Sequence, residues 1–322
     1  MSDYIIQGTT LTAIADAIRS KTGGTGKLNP ANFASAISGI ETGSGGSSGG
    51  DSGGSGVAGG ADIDALIDRS VAEIASNSVN SIGDYAFTGC AALTKASFLA
   101  ATGVGKSAFA DCIKLVSVEI PQAKTIGAAA FETCRKLTTP AFPLVTSIGD
   151  SAFSGCESMA SADFQSAKSI GTRAFETCAG LVSANFPLAT SIGSNAFDGC
   201  DLLANVNIPL VKTIPSYAFR YCSGLVTADL PAATSISTYA FRYCESLTAL
   251  ILRSETMCSL SNVNAFNGTP IESGTGNIYV PSALIDSYKA ASRWSTYATQ
   301  FRALEDYTVD GTTTGALDES KI

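Results

Sequence analysis

A cysteine returns every 22 residues through the middle of the chain: Cys90, Cys112, Cys134, Cys156, Cys178, Cys200, Cys222 and Cys244. Three residues before each stands Phe87, Phe109, Phe131, Phe153, Phe175, Phe197, Phe219 or Phe241, always preceded by alanine. Three residues after each stands Leu93, Leu115, Leu137, Met159, Leu181, Leu203, Leu225 or Leu247. Ile82, Val104, Ile126, Ile148, Ile170, Ile192, Ile214 and Ile236 keep the same step, five residues ahead of the phenylalanines. The consensus is IGxxAFxxCxxLxxxxxPxxxx. A fixed period in this range means stacked units. One such unit is too small to bury its own apolar face, so its neighbours must bury it.

Within a unit, Val116, Val118 and Ile120 alternate with Ser117 and Glu119. Alternation of period two predicts a short strand. Proline often stops it, as at Pro121, Pro143, Pro187, Pro209 and Pro231. Strands stacked in identical register give a parallel sheet, with equivalent atoms about 4.8 Å apart in successive turns. The Ile-Gly to Ala-Phe segment is expected to form a short helical turn.

This pattern resembles the BspA-like leucine-rich repeat family. It runs strictly over residues 81 to 252, and a degenerate turn follows around Ala265 and Phe266, where Thr269 replaces cysteine. The resemblance implies an α/β leucine-rich-repeat solenoid with a parallel sheet, a small helical N-terminal module and helical caps. The repeats are placed at 81–276. The segment 277–306 resembles the helical cap that closes such arrays, with Leu284, Ile285, Tyr288, Trp294 and Phe301 as its plug. Ile63, Leu66, Ile67, Val71 and Ile74 lie at helical spacing, which predicts an N-terminal cap helix within 61–80.

The cysteine ladder invites a metal or disulfide reading. A step of 22 residues contains no CxxC pair, so zinc is disfavoured. A rung can pair with only one neighbour. The favoured reading is a column of reduced thiols acting as small apolar core residues. The chain has no histidine, which removes the usual general base and the His-dependent nucleophile systems. No catalytic residue, metal site or cofactor is expected. A net charge of −8 argues against nucleic acid as a partner. No apolar run is long enough to span a membrane, and MSDYIIQGTT lacks the basic start and apolar core of a secretory signal.

Residues 43–60, GSGGSSGGDSGGSGVAGG, form a flexible linker with a reach of roughly 20 to 25 Å. Before it, residues 1–42 read as two short helices. One carries Leu11, Ile14 and Ile18; the other starts at Asn29-Pro30 and carries Phe33, Ile37 and Ile40. So small a module has little core and is expected to pack on a partner or on copies of itself as a homo-oligomer. The GGTGK at 23–27 lacks the first glycine and the Ser/Thr of a Walker A loop, so it reads as an interhelix loop. The stretch TLTAIADAIRSKTGGTGKLNPANFASAISGI resembles a segment of tail and minor structural proteins of phages and prophages of Gram-positive bacteria. The tail at 307–322, containing YTVDGTTTGALDESKI, resembles material from the same protein neighbourhood.

Two surfaces stand out. Outward strand positions, among them Lys95, Ser97, Glu119, Asp163, Asn185, Asn207 and Asp229, form a polar ribbon. SYAFRYC and TYAFRYC place Tyr217, Arg220 and Tyr221 beside Tyr239, Arg242 and Tyr243, whereas Glu132, Glu176 and Asp198 occupy the arginine position earlier. Tyrosine and arginine are enriched where binding energy concentrates, and tyrosine can stack on sugars. These six residues are the candidate ligand site.

The expectation that follows is a virion protein of a phage tail. Residues 1–42 would dock to tail or baseplate proteins, and the repeats would contact a host cell-surface glycan or protein. The alternative is a BspA-like adhesin on the bacterial cell surface, or another protein-interaction module. A third reading is a glycan-active enzyme using Glu119 and Asp163. They lie two repeats apart, roughly 10 Å by strand spacing, near the upper range for inverting glycosidases.

Overall fold

A computed structural model of the chain describes residues 71–77, 79–138, 140–309 and 312–313. The expected module at 1–42, the linker at 43–60 and most of the tail at 307–322 lie outside the described residues. The chain divides into two compact units, Met1–Met159 and Ala160–Ile322.

In the first unit, Glu73–Ser76, Lys95–Phe98 and Ser117–Glu119 form a parallel sheet with a register of one repeat, Glu73 facing Lys95 and Lys95 facing Ser117. Ala96, Phe98 and Val118 point into the core, while Lys95 and Glu119 are exposed. A second parallel ladder joins Gly103–Val104, Thr125–Ile126 and Ser147–Ile148. The conserved-step isoleucines therefore belong to strands of their own, two residues long, too short for periodicity to reveal.

The helix expected within 61–80 does not include Glu73–Ser76, which is strand; residues 61–70 lie outside the described residues. The first strand of a stack leaves a row of N–H and C=O groups open. Glu73–Ser76 pairs with that row and lays Ile74 and Ser76 beside Ala96 and Phe98.

The expected helical turn at Ile-Gly-x-x-Ala-Phe is also replaced. Each unit instead uses two residues in the left-handed region. They are Tyr85 and Gly89, Ser107 and Asp111, Ala129 and Thr133, then Ser151 and Gly155, with φ between 50° and 73°. In the first three pairs the second residue sends its N–H to the next turn: Gly89 to Ala110 O at 2.7 Å, Asp111 to Glu132 O at 2.8 Å and Thr133 to Ser154 O at 2.8 Å. A continuous helix would spend those donors internally; this path spends them on stacking.

The second unit repeats the plan. Ser161–Asp163, Ser183–Asn185 and Asn205–Asn207 form one parallel sheet. Thr227–Asp229, Ala249–Ile251, Asn277–Val280 and Phe301–Ala303 form another. A corresponding isoleucine ladder within this unit joins Thr213–Ile214, Ser235–Ile236 and Ser259–Leu260. Phe175, Phe197, Phe219 and Phe241 stack at 5.3–5.4 Å with planes within 9°. Each fully buried aromatic contributes about 1.5–3 kcal/mol by transfer from water.

The cysteines are free thiols in the core. Cys112, Cys134, Cys156, Cys200, Cys222 and Cys244 each donate to the phenylalanine carbonyl of the preceding turn, as Cys222 Sγ does to Phe197 O at 3.1 Å and Cys244 Sγ to Phe219 O at 2.9 Å. That carbonyl already accepts the N–H of its own cysteine: Cys200 N lies 3.2 Å from Phe197 O. The thiol thus fills a small space and uses a second lone pair. Burial pushes the pKa of Cys112, Cys134, Cys200, Cys222 and Cys244 far upward.

The closing segment is less helical than expected. Its ends, Asn277–Val280 and Phe301–Ala303, are strands that extend the sheet. Between them lie the helix Ile285–Ala290 and short 3-10 turns. Adding strands satisfies the edge that a helix would leave unpaired. Trp294 and Phe301 are buried as the plug, whereas Leu284 and Ile285 are only half-buried. Trp294 Nε1 donates to Cys258 O at 2.7 Å, and Cys258 N donates to Tyr288 Oη at 2.7 Å. Tyr297, absent from the expected plug, meets Phe266 edge-on at 5.5 Å.

Candidate functional site

The left-handed slots of the turn decide where the site residues stand. In the second unit these slots hold Tyr217 (φ 62°), Tyr221 (60°), Tyr239 (60°) and Tyr243 (61°). Other turns use Gly155, Gly199, Gly268, Asn195, Thr177 or Ser151 there. A bulky side chain in this region is rare and costs about 1–2 kcal/mol relative to the right-handed conformation. All four tyrosines of the candidate patch occupy such positions.

Because the slots repeat, the rings stack. Tyr217 lies on Tyr239 at 5.3 Å and 25°, and Tyr221 on Tyr243 at 5.1 Å and 22°. Each arginine sits between the two columns. Arg220 Cζ lies 4.8 Å from the Tyr217 ring and 5.3 Å from Tyr221. Arg242 Cζ lies 4.9 Å from Tyr239 and 4.6 Å from Tyr243. Ring pairs and cation–π contacts are each worth about 0.5–2 kcal/mol, enough to offset the backbone cost. The six residues named from the sequence therefore do come together.

The two arginines differ electrostatically. Arg220 forks onto Asp198 of the preceding turn, with Nε at 2.9 Å from Oδ1 and Nη2 at 2.5 Å from Oδ2. Asp198 is only 3% exposed and also accepts from Asn195 Nδ2 at 2.9 Å. The hydrogen bond that Arg220 donates to Asp198 outweighs desolvation and raises the Arg220 pKa. Arg242 has Arg220 one turn before it instead of a carboxylate. Its Nη2 donates to Tyr243 Oη at 2.9 Å, and its Nε is buried without an acceptor. Among the described residues no carboxylate forms an ion pair with it. Asn267, one turn on, is engaged with Glu272 at 3.0 Å.

The ring faces are largely spoken for. One face of Tyr243 carries Tyr221. On its other side, a Cβ added at Gly268 would come within 2.4 Å of Tyr243 Cδ1. The turn before Tyr221 offers Gly199, which brings no side chain against that ring, and Tyr221 is 44% exposed. Broad stacking of sugars across all four rings is thus replaced by ring edges, hydroxyl groups and the exposed part of Tyr221. Asp198, Asn195, Gly199 and Gly268 are the parts that sequence reasoning missed. A column-by-column reading at the 22-residue step would have exposed Asp198 as the partner of Arg220.

The polar ribbon is a set of side-chain ladders. Asn185 Nδ2 donates to Asp163 Oδ1 at 2.8 Å and Asn207 Nδ2 to Asn185 Oδ1 at 2.8 Å. Asp163 also accepts from Gln165 at 2.6 Å, while Glu119 accepts from Ser97 at 3.1 Å. Asp229 is paired with Arg253 at 2.8 Å. The carboxylates weighed for catalysis, Glu119 and Asp163, are each engaged within their own unit.

Solved structures similar to this chain include a leucine-rich repeat protein from Bacteroides ovatus, 26% identical over 73% of this chain with a TM-score of 0.49. The match spans 66% of that protein's length, under two thirds. A leucine-rich repeat protein of T. pallidum is 26% identical over 55% of this chain and 78% of its own, with a TM-score of 0.41. A leucine rich cell surface protein from Faecalibacterium prausnitzii is 19% identical over 71% of this chain and 82% of its own, with a TM-score of 0.37. No curated protein matches the chain. The family model described as BspA type leucine rich repeat region, in six copies, matches residues 70–182 and 168–282.

Proposed function

The chain belongs to the BspA type leucine-rich repeat family, and on that footing we propose that it is a non-covalent binding module, serving protein interaction or adhesion through the Tyr/Arg patch. The observation that supports this most is the placement of Tyr217, Tyr221, Tyr239 and Tyr243 in left-handed slots. Glycine would fill those slots without strain, so the backbone does not select tyrosine there. No chemical step is assigned to the module.

The bacterial cell surface is the preferred location, as an adhesin built on BspA type repeats implies. The phage-tail reading draws on the resemblances at the two ends of the chain. Both ends lie almost wholly outside the described residues, and the family match covers neither. Binding of the intact protein to host-cell envelope fractions tests the module reading. Replacing Tyr221, Arg220, Tyr243 and Arg242 by alanine is expected to reduce binding at least tenfold. Unchanged binding by a folded variant would exclude the patch.

A further inference from the structure

The two arginines of the patch have the same aromatic surroundings and opposite electrostatic bookkeeping, and that difference identifies a ligand group. Arg220 is neutralised by Asp198 through its Nε and Nη2 edge. The matching edge of Arg242 holds only the Tyr243 hydroxyl, with Nε unsatisfied. A guanidinium carries five donors in a fork that fits a carboxylate. Arg242 is half-buried with no carboxylate beside it among the described residues, and a partner that brings one gains charge-assisted hydrogen bonds.

We propose that Arg242 is the anchor for the carboxylate of an acidic sugar within an otherwise uncharged glycan. The proposal rests on the binding-module reading and specifies the ligand of that same patch. Arg242 is half-buried and its Nε is closed to solvent, so the carboxylate meets the guanidinium from its Nη end. The phenol hydroxyls of Tyr239 and Tyr243 flank it and can exchange hydrogen bonds with sugar hydroxyls. The exposed part of the Tyr221 ring, 44% of the residue's surface being open, takes the apolar face of a neighbouring sugar. Arg220 is a positioning residue that holds Tyr217 and Tyr221 in place.

Charge favours a sugar acid over a strongly acidic peptide or a polyanion. The chain carries a net charge of −8, which repels polyanions at long range. The patch offers one uncompensated cation, because the other is paired with Asp198. One isolated carboxylate matches that balance.

The experiment presents immobilised uronic-acid and sialic-acid glycans, each beside its methyl ester, together with Glu-rich peptides, to the full chain and to Arg242→Gln. Acids are expected to bind roughly tenfold or more tightly than their esters, and Arg242→Gln is expected to abolish that preference. Equal binding to acid and ester overturns the proposal without relying on any variant. So does a preference that survives Arg242→Gln in a variant with native melting behaviour, and so does binding to the peptides alone. An empty array overturns the ligand class. If envelope binding still depends on the patch, the module reading stands; if it does not, both fall.

Discussion

Arg220 and Asp198, 22 positions apart in the chain, close a two-pronged ion pair in which the carboxylate is almost fully buried and the arginine side chain as a whole stays 30% exposed. The pair fixes the arginine between two tyrosine rings of its own turn. It ties adjacent turns at the edge of the patch and leaves the next arginine without a carboxylate.

Asp198→Asn should therefore destabilise the second unit by about 1–3 kcal/mol. That is less than the loss for a fully buried pair, because the stranded Arg220 retains water. Urea unfolding of Asp198→Asn, Arg220→Gln and the double variant would give a coupling energy of about 1–2 kcal/mol. A coupling near zero would show the pair to be ornamental.

Gly199 and Gly268 have nearly equal φ, 72° and 76°, but different neighbours. A Cβ at Gly199 would meet Thr177 Cγ2 at 3.4 Å, an ordinary contact, so Gly199→Ala should cost about 1 kcal/mol from the backbone alone. A Cβ at Gly268 would sit 2.4 Å from Tyr243 Cδ1. Gly268→Ala should cost about 2–4 kcal/mol and alter the near-ultraviolet circular dichroism of the tyrosines. Equal effects from the two substitutions would contradict the packing described for Tyr243.

The thiol ladder makes a chemical prediction. Nine cysteines, all buried with free thiols, should resist a thiol reagent in the native state and react together on unfolding. Burial holds the thiolate, the reactive form, out of reach. Cys222→Ala should cost about 1–2 kcal/mol through lost volume and the lost bond to Phe197 O. Rapid native-state labelling of any rung would argue against the core placement.

The C-terminal plug should be sensitive to alkali. Burial raises the pKa of both Tyr288 and Tyr297 from 10 to about 12. Between those values the unfolded chain gives up protons that the folded chain keeps, so stability falls as pH rises. The contribution is intact below pH 10 and lost progressively toward pH 12. Unfolding midpoints measured alongside phenolate absorbance should show this decline, and Tyr288→Phe should blunt it.

The architecture was legible because the 22-residue step is written in large, buried side chains such as Phe197, Cys200 and Leu203. The path of the turn was not. Gly89, Gly155, Gly199 and Gly268 hint at left-handed backbone, but Tyr, Thr, Ser and Ala fill equivalent places and hide the hint. Glu73–Ser76 was obscured for another reason. Its apolar residues continue a helical spacing begun at Ile63, while its pairing with Lys95 is visible only by counting one repeat back. The six patch residues were found by composition. The inequality of their two arginines was not, because Asp198 was read as a change in surface character instead of a counter-ion.

The left-handed slots give the solenoid a way to change its surface without touching its interior. Tyr221 and Tyr243 stand one residue before Cys222 and Cys244, yet the rings face outward while the thiols remain in the core. Copying one turn into the gene would lengthen both tyrosine columns by one ring, about 5 Å, and add one arginine between them. The patch can thus be extended in whole turns by duplication, with each copy inheriting a core that already fits its neighbours.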